Sequence, residues 1–207
     1  NPFDPTSGLV AYYPFDGNAS DMSGNGHHGT VIGATLGADR HGAAGKAYSF
    51  DGNGDYTIIP NSTDWDFGTS DFTMEFWLKA EPSAENTQGI LSKVNDGNIL
   101  NGWAIWLGSG KVNFRANNDA VEMSSLNDIR GDGLWHHFAV VRNVGTWGLY
   151  EDGSQGSQTT SSISITSTLM KLMIGRYYEN HDLYFLNGIL DDVRIYDRAL
   201  SAAEVAA

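Results

Sequence analysis

The chain has 207 residues, with 12 Lys and Arg against 25 Asp and Glu, a formal charge of −13, and no cysteine. That length suits one all-β domain, and a charge this negative repels nucleic-acid phosphates and disfavours anionic membrane surfaces. The missing cysteines remove thiol catalysis, disulfide scaffolds and Cys-ligated zinc. No apolar run approaches the roughly 18 residues of a membrane-spanning helix. The acidic residues are mostly Asp, 18 against 7 Glu, and 16 Asn and 25 Gly stand beside them. Asp, Asn and Gly serve tight turns and oxygen-ligand cation sites, whereas Glu serves helices. The opening Asn1-Pro2-Phe3-Asp4-Pro5 does not resemble a signal peptide, and its expected origin is the excised edge of a larger protein.

Leu9 to Phe15 reads as an opening strand that Pro14 ends or confines to an edge. A polar loop rich in Gly, Asn and Asp follows from Asp16 to Gly29. Strand character returns at Lys46–Phe50 and Tyr56–Ile59, on either side of Asp51-Gly52-Asn53-Gly54-Asp55. In Phe72–Lys79 the residues Phe72, Met74, Phe76 and Leu78 alternate onto one face, as a half-buried strand requires. Further strands are expected at Ile90–Ser92, Trp103–Leu107, Lys111–Phe114, Trp135–Arg142, Trp147–Tyr150, Leu169–Ile174 and Leu183–Tyr196. Ser109-Gly110 and Glu151-Asp152-Gly153 supply hairpin turns. Ser154 to Ser167 reads as a long exposed hairpin. Only Ser201 to Glu204 looks helical, with Ser and Glu at capping-box spacing. About a dozen short strands without a helical crossover predict a two-sheet antiparallel sandwich spanning residues 1–207.

Five blocks in order resemble the laminin-G-like, concanavalin A-like lectin/glucanase superfamily. They are Leu9–Asp16 with Asp21–Asn25, Tyr48–Gly52 leading to Asp55-Tyr56, Phe72–Trp77, Trp135–Arg142 with Leu149–Gly153, and Gly188–Tyr196 with Arg198–Ser201 and Glu204. The resemblance implies a jelly-roll sandwich with one concave and one convex sheet. It also implies a bacterial domain attached to a larger secreted enzyme or surface adhesin, often carrying calcium and often binding carbohydrate.

A calcium ion wants six to eight oxygens from carboxylates and loop carbonyls. Asp16, Asp21, Asn25, Asp51, Asn53 and Asp55 lie in two Gly-rich loops, and most loop Asp residues are simply turn formers. The resemblance adds the Asp before the last strand's Val-Arg-Ile-Tyr, here Asp191, as a ligand joining those loops. The expected ion site is Asp16, Asp21, Asp51, Gly52 and Asp191. Asp192 is left out because adjacent strand residues point to opposite faces. An EF-hand is excluded: Tyr56 stands at the Gly position and Ser62 at the bidentate Glu position. His27-His28 and His136-His137 are adjacent pairs, and on a strand such pairs cannot chelate one ion from one face. Of His136 and His137, one is expected in the core and one on the surface.

Glycoside hydrolysis needs two carboxylates across the scissile bond. The Glu-x-Asp-x-(x)-Glu pattern of the glucanase relatives is absent, and Glu75 is the lone acid on its strand, so no enzyme is expected. Sugar binding needs aromatic faces and planar polar groups. Asn95, Asp96, Asn98, Asn101 and Trp103 offer these in one loop-like segment, Tyr177, Tyr178 and Asn180 in another, and Arg115 adds a guanidinium. Trp103 and Trp106 are an odd number apart and must face opposite sides of a strand. Trp77 and Trp135 are expected to be structural. The leading expectation is a non-catalytic, calcium-stabilised, extracellular carbohydrate-binding module that holds an enzyme or adhesin on a glycan. The alternatives are a protein-interaction domain without a sugar site and, less favoured, a hydrolase or lyase.

Overall fold

The computed structural model describes residues 4–95, 98–166 and 169–207. The first strands are β1 (Leu9–Tyr13), β2 (Thr30–Ile32), β3 (Thr35–Ala38), β4 (Ala44–Asp51), β5 (Tyr56–Ile59) and β6 (Phe72–Ala80). Then come β7 (Thr87–Asn95), β8 (Asn98–Gly108), β9 (Lys111–Ala116), β10 (Val121–Ser124) and β11 (His136–Asn143). β12 (Thr146–Glu151), β13 (Ser154–Thr160), β14 (Leu172–Ile174) and β15 (Asn187–Tyr196) complete the set, followed by the short helix α1 (Ala202–Val205). One sheet runs β13-β12-β11-β6-β15-β4-β3, with β1 also paired to β15; the other runs β10-β9-β8-β7-β14-β5-β2. All the strand pairings within these sheets are antiparallel. The expected all-β jelly-roll sandwich is the fold observed.

The period-2 pattern decides which face of each strand is dry. Phe72, Met74, Phe76 and Leu78 of β6 all enter the core, as do Phe138 and Val140 of β11 and Leu190, Val193 and Ile195 of β15. Facing them are Trp103, Ile105 and Leu107 of β8 with Val112 and Phe114 of β9. A run of rings ties the two sheets together. Phe67 stacks on Phe72 at 4.3 Å, Phe72 meets Trp147 edge-on at 5.5 Å, and Trp147 stacks on Phe114 of the other sheet at 5.8 Å. Trp65 and Trp147 are both fully buried.

Two cations enter this interior with their partners. Arg142 continues the inward row of β11, lies 4.6 Å over Trp147, and donates to the carbonyls of Gly68 and Ile163, both at 2.9 Å. Lys93, fully buried, pairs with Asp66 at 2.7 Å. Burial of a charge is tolerable only with such bonds.

The capping box predicted for the helix is present: Ser201 accepts from the Glu204 amide at 3.3 Å, and Glu204 accepts from the Ser201 amide at 2.7 Å. Val205 packs with Leu200 and Tyr196 against Ala139 and Val141, on the outer side of the β1-containing sheet. Ser154–Thr160, expected in a hairpin, is the edge strand β13 paired to β12.

His136 closes the turns beside this sheet. Its Nδ1 lies 2.7 Å from Asp152 and its Nε2 lies 2.9 Å from Asp132. Burial lowers the imidazole's proton affinity, but the bonds to Asp152 and Asp132 outweigh that and hold its pKa above the ordinary value. With the folded value above the unfolded one, this clasp contributes fully below about pH 6.5 and is lost as pH rises through the folded value. His136→Gln is therefore expected to lower the melting temperature at about pH 5.5 and to change it little at about pH 9. Melts of the two proteins across that range check this.

Candidate functional site

The outer face of the seven-stranded sheet carries an aromatic cleft, and alternation builds its floor. On β8 the inward Trp103, Ile105 and Leu107 leave Ala104 and Trp106 outward; on β9 the inward Val112 and Phe114 leave Asn113 and Arg115 outward. Arg115 pairs with Ala104 across the ladder, diagonal to Trp106. Its guanidinium lies 5.4 Å from the Trp106 ring and 5.3 Å from the Tyr177 ring.

The wall is the segment 175–186, folded back on the sheet. It is tied down by the Gly175 amide to the Ile90 carbonyl at 2.8 Å, the Gly89 amide to the Tyr184 carbonyl at 2.8 Å, and Ser92 Oγ to the Arg176 carbonyl at 2.9 Å. Gly89 permits the contact. A Cβ there would collide with the backbone of Arg176 and Tyr177. Tyr177 is buried with Val94 and Ala104, while Tyr178 and Tyr184 are half-buried against it. Tyr177 meets Trp106 edge-on at 5.9 Å and Tyr178 edge-on at 4.6 Å. Burial pushes the Tyr177 hydroxyl far above the usual phenol range, so it stays protonated. Thr87, Trp106, Arg115, Tyr177, Tyr178 and Tyr184 enclose about 170 Å³.

The cleft can stack on an apolar ring face and donate hydrogen bonds beside it. Arg115 makes one long bond to Asp119, 3.3 Å, and its buried Nε has no protein partner. Arg142 Nε and Arg176 Nε are also buried without a partner, and what sets Arg115 apart is that its donor lies at an aromatic cleft, where a ligand or ordered water can meet it.

Arg115, Tyr177 and Tyr178, expected at a sugar site from separate stretches of sequence, thus meet in one place. Asn180 is exposed on the same segment. Asp96 lies outside the described residues, as do the side chains of Asn95, Asn98 and Asn101. Trp103 is corrected: it is fully buried between the sheets and presents no face to a ligand. Trp106 takes that place. The signal was available, since Trp103 shares parity with Ile105 and Leu107 and Trp106 does not. Tyr184 and Thr87 carried no comparable signal, because folding of the segment over β7 brings them in.

The expected calcium ligands are not brought together. Asp16 is exposed and pairs with Lys46 at 3.2 Å. Asp21 is buried and already accepts from the amides of Tyr12, Ser23 and His27 and from Ser23 Oγ, at 2.9–3.0 Å. That is the work of a turn former. Asp51 accepts from the Asn53 amide at 2.8 Å, and Gly52 has φ +81° at the turn between them. Asp191 pairs with Arg40 at 2.7 Å, and Asp192 pairs with the same guanidinium. Asp191 and Asp192 therefore share a face, against the alternation rule. A bulge shifts the register between Asp191 and Arg194, and Asp192 has φ +50°. An extra residue in one strand resets the alternation. Burial and the Asp192 charge push the Asp191 pKa up to about 6, against the pull of Arg40.

Among the described residues, one group of His, Asp and Glu is close enough for a metal: His136, Glu151 and Asp152. Its members are spent, His136 on two carboxylates and Glu151 on the amides of Leu126 and Asn127 and on Asn127 Nδ2. His136 and His137 are also corrected. Neither joins the hydrophobic core: His136, opposite Leu78 at the end of β11, is held between Asp132 and Asp152, and His137, opposite Trp77, faces outward 3.6 Å from Glu75. These carboxylates do not fit a calcium ion.

Residues 51–206 match the family described as the Concanavalin A-like lectin/glucanases superfamily. The chain belongs to it. No curated protein matches the chain. Among solved structures of this fold, the binding domain of Paraclostridial Mosquitocidal Protein 1 is 20% identical with a TM-score of 0.76, covering 96% of this chain and 51% of that one. Domain 4 of AbnA, an extracellular arabinanase of Geobacillus stearothermophilus, was solved with arabinotriose; it is 22% identical, TM-score 0.70, with 96% of both chains covered. The binding domain of botulinum neurotoxin DC, in complex with rat synaptotagmin II, is 15% identical with a TM-score of 0.75, covering 98% of this chain and 51% of that one. The chain thus spans about half the length of the toxin domains and nearly all of the arabinanase domain. No helix among the described residues is long and apolar enough to cross a membrane.

In this superfamily member the cleft depends on Gly89. Gly89→Ala is expected to displace segment 175–186 and with it Tyr177 and Tyr178. The readout is Tyr and Trp near-ultraviolet dichroism, which should change while the far-ultraviolet β signal persists.

Proposed function

We propose that the chain is a non-catalytic carbohydrate-binding module of an extracellular protein, holding a larger enzyme or adhesin on a glycan. The observation that carries this reading is the meeting of Trp106, Tyr178 and an Arg115 with an unspent buried donor in one cleft. Aromatic plates take the apolar face of a sugar ring, and a guanidinium donates to its hydroxyls. At about 170 Å³ the cleft is below the size of a drug-like pocket and suits a single ring of a longer chain. The tyrosines are already packed, so little ordering opposes binding. An arabinanase domain of this fold was solved with arabinotriose, which makes arabino-oligosaccharides the first probe.

Calorimetric titration with arabinotriose and with neutral hexose and xylose oligomers tests the reading. One of them is expected to bind, and Trp106→Ala is expected to weaken it by roughly tenfold or more, equivalent to about 1.4 kcal/mol. Binding that survives Trp106→Ala and Tyr178→Ala unchanged removes the cleft from the site. No binding by any oligomer moves the chain to a protein-interaction domain, a reading supported by the neurotoxin domain solved with synaptotagmin II.

The calcium ion that the resemblance implies is not part of this proposal, since the carboxylates expected to hold it are engaged elsewhere. Because the carboxylates are dispersed and already bonded, equal melting temperatures are expected in calcium and in EDTA. A rise in calcium would restore the ion.

A further inference from the structure

A second and larger cavity lies on the outer face of the opposite sheet. It encloses about 500 Å³, and its lining includes Arg40, Glu75, Trp77, His137 and Arg194. Strand register builds its floor in two rows. His137, Trp77 and Asp191 are cross-strand neighbours on β11, β6 and β15; Ala139, Glu75 and Arg194 form the next row. The Asp152-Gly153 turn and the end of α1 from Glu204 form the rim. The bulge at Asp192 is what puts two carboxylates beside this floor instead of one.

Charge and bonding define what this cavity can hold. Its guanidinium groups are already neutralised: Arg40 pairs with Asp191 and Asp192 at 2.7 and 2.6 Å, and Arg194 pairs with Asp192 at 3.1 Å. No unpaired cation is left for a phosphate, sulfate or uronate. Glu75 differs. It is only 6% exposed, yet its single hydrogen bond among the described residues comes from the Tyr196 hydroxyl at 3.3 Å. Arg194 and His137 approach it at 3.5 and 3.6 Å, beyond good hydrogen-bond length. A carboxylate accepts about four hydrogen bonds, so Glu75 brings unspent acceptors to a cavity wall. Beside it Trp77 is half-buried, with Arg40 5.0 Å from its ring and the His137 ring 5.2 Å away. An indole, an under-bonded carboxylate and a neighbouring imidazole, with no unpaired guanidinium, suit a neutral ring with one apolar face and several hydroxyl groups.

We propose that this cavity is a second carbohydrate subsite, taking a neutral pyranose unit over Trp77 with a hydroxyl donating to Glu75. It is a different site from the Trp106 cleft, on the other side of the sandwich. A module with both would hold two glycan segments at once, and linked binding raises avidity without any new contact.

The test is a nuclear magnetic resonance titration of the whole chain, following the indole N–H signals, with the tetramers of β-1,4-linked glucose, xylose, mannose and N-acetylglucosamine in turn. The Trp77 signal is expected to shift with at least one of them. Trp77→Ala should abolish the response of the neighbouring Ala139 and Arg194 amides, and Glu75→Gln should weaken it roughly tenfold. Both variants are checked by melting, and Glu75→Gln preserves shape if Trp77→Ala unfolds. A Trp77 response that Glu75→Gln leaves at parent affinity overturns the proposal. So does a response confined to Trp106, which leaves the cleft standing. A response at Trp77 alone keeps this subsite, and silence at Trp77 with all four tetramers overturns it, while the cleft is judged separately by the arabinotriose titration.

Discussion

The sandwich rests on one cross-sheet contact, the stack of Trp147 on Phe114 at 5.8 Å, extended on one side by Phe72 and Phe67. Aromatic pairs of this kind contribute about 0.5–1.5 kcal/mol beyond their buried area. Their larger effect is on orientation. With Trp147 and Phe114 facing each other, the inward parity of β12 and β9 is set, and that of every hydrogen-bonded neighbour follows. Arg142 seals the contact from one end by lying on Trp147 and bonding two carbonyls. The outer faces are then free to carry polar and aromatic groups, and both candidate sites are built there.

Most of the fold was legible because alternation is a local signal. Phe72-x-Met74-x-Phe76-x-Leu78 announces its buried face without any knowledge of its neighbours, and Ser201 with Glu204 announces a helix start. The order of strands within the sheets was not legible from periodicity. The five family blocks supplied the jelly-roll architecture, and the structure supplied the order. Arg142 and Lys93 show where polarity misleads: each stands at a buried position, and only the partners, carbonyls in one case and Asp66 in the other, make that acceptable.

The candidate site was legible in part, and the misses have physical causes. Arg115 and Tyr178 were found by residue type alone. Trp103 was expected because it ends the amide-rich stretch that starts at Asn95, when the parity of Ile105 and Leu107 decides between it and Trp106. Asp191 and Asp192 were assigned opposite faces by a rule that holds for regular strands, and the bulge breaks it. No sequence pattern here announces a bulge, since Asp192 takes its left-handed φ without being glycine. The acidic loops read as a cation site because Asp serves ions and turns with the same oxygens; in Asp21 those oxygens are filled by backbone amides.

Strand β15 lies in the middle of its sheet, between β6 and β4, and also receives β1. It is the last strand in sequence, with more than a hundred residues between it and the β6 that it pairs with. Until it is in place, β4 and β6 have no shared neighbour, and the sheet is two fragments with raw edges. Such non-local closure is slow, and unpaired edges invite aggregation. During synthesis the ribosome must therefore deliver the chain through β15 before the sandwich can close. For that interval β6 has one sheet neighbour, β11, which is itself joined to β12 by a tight hairpin.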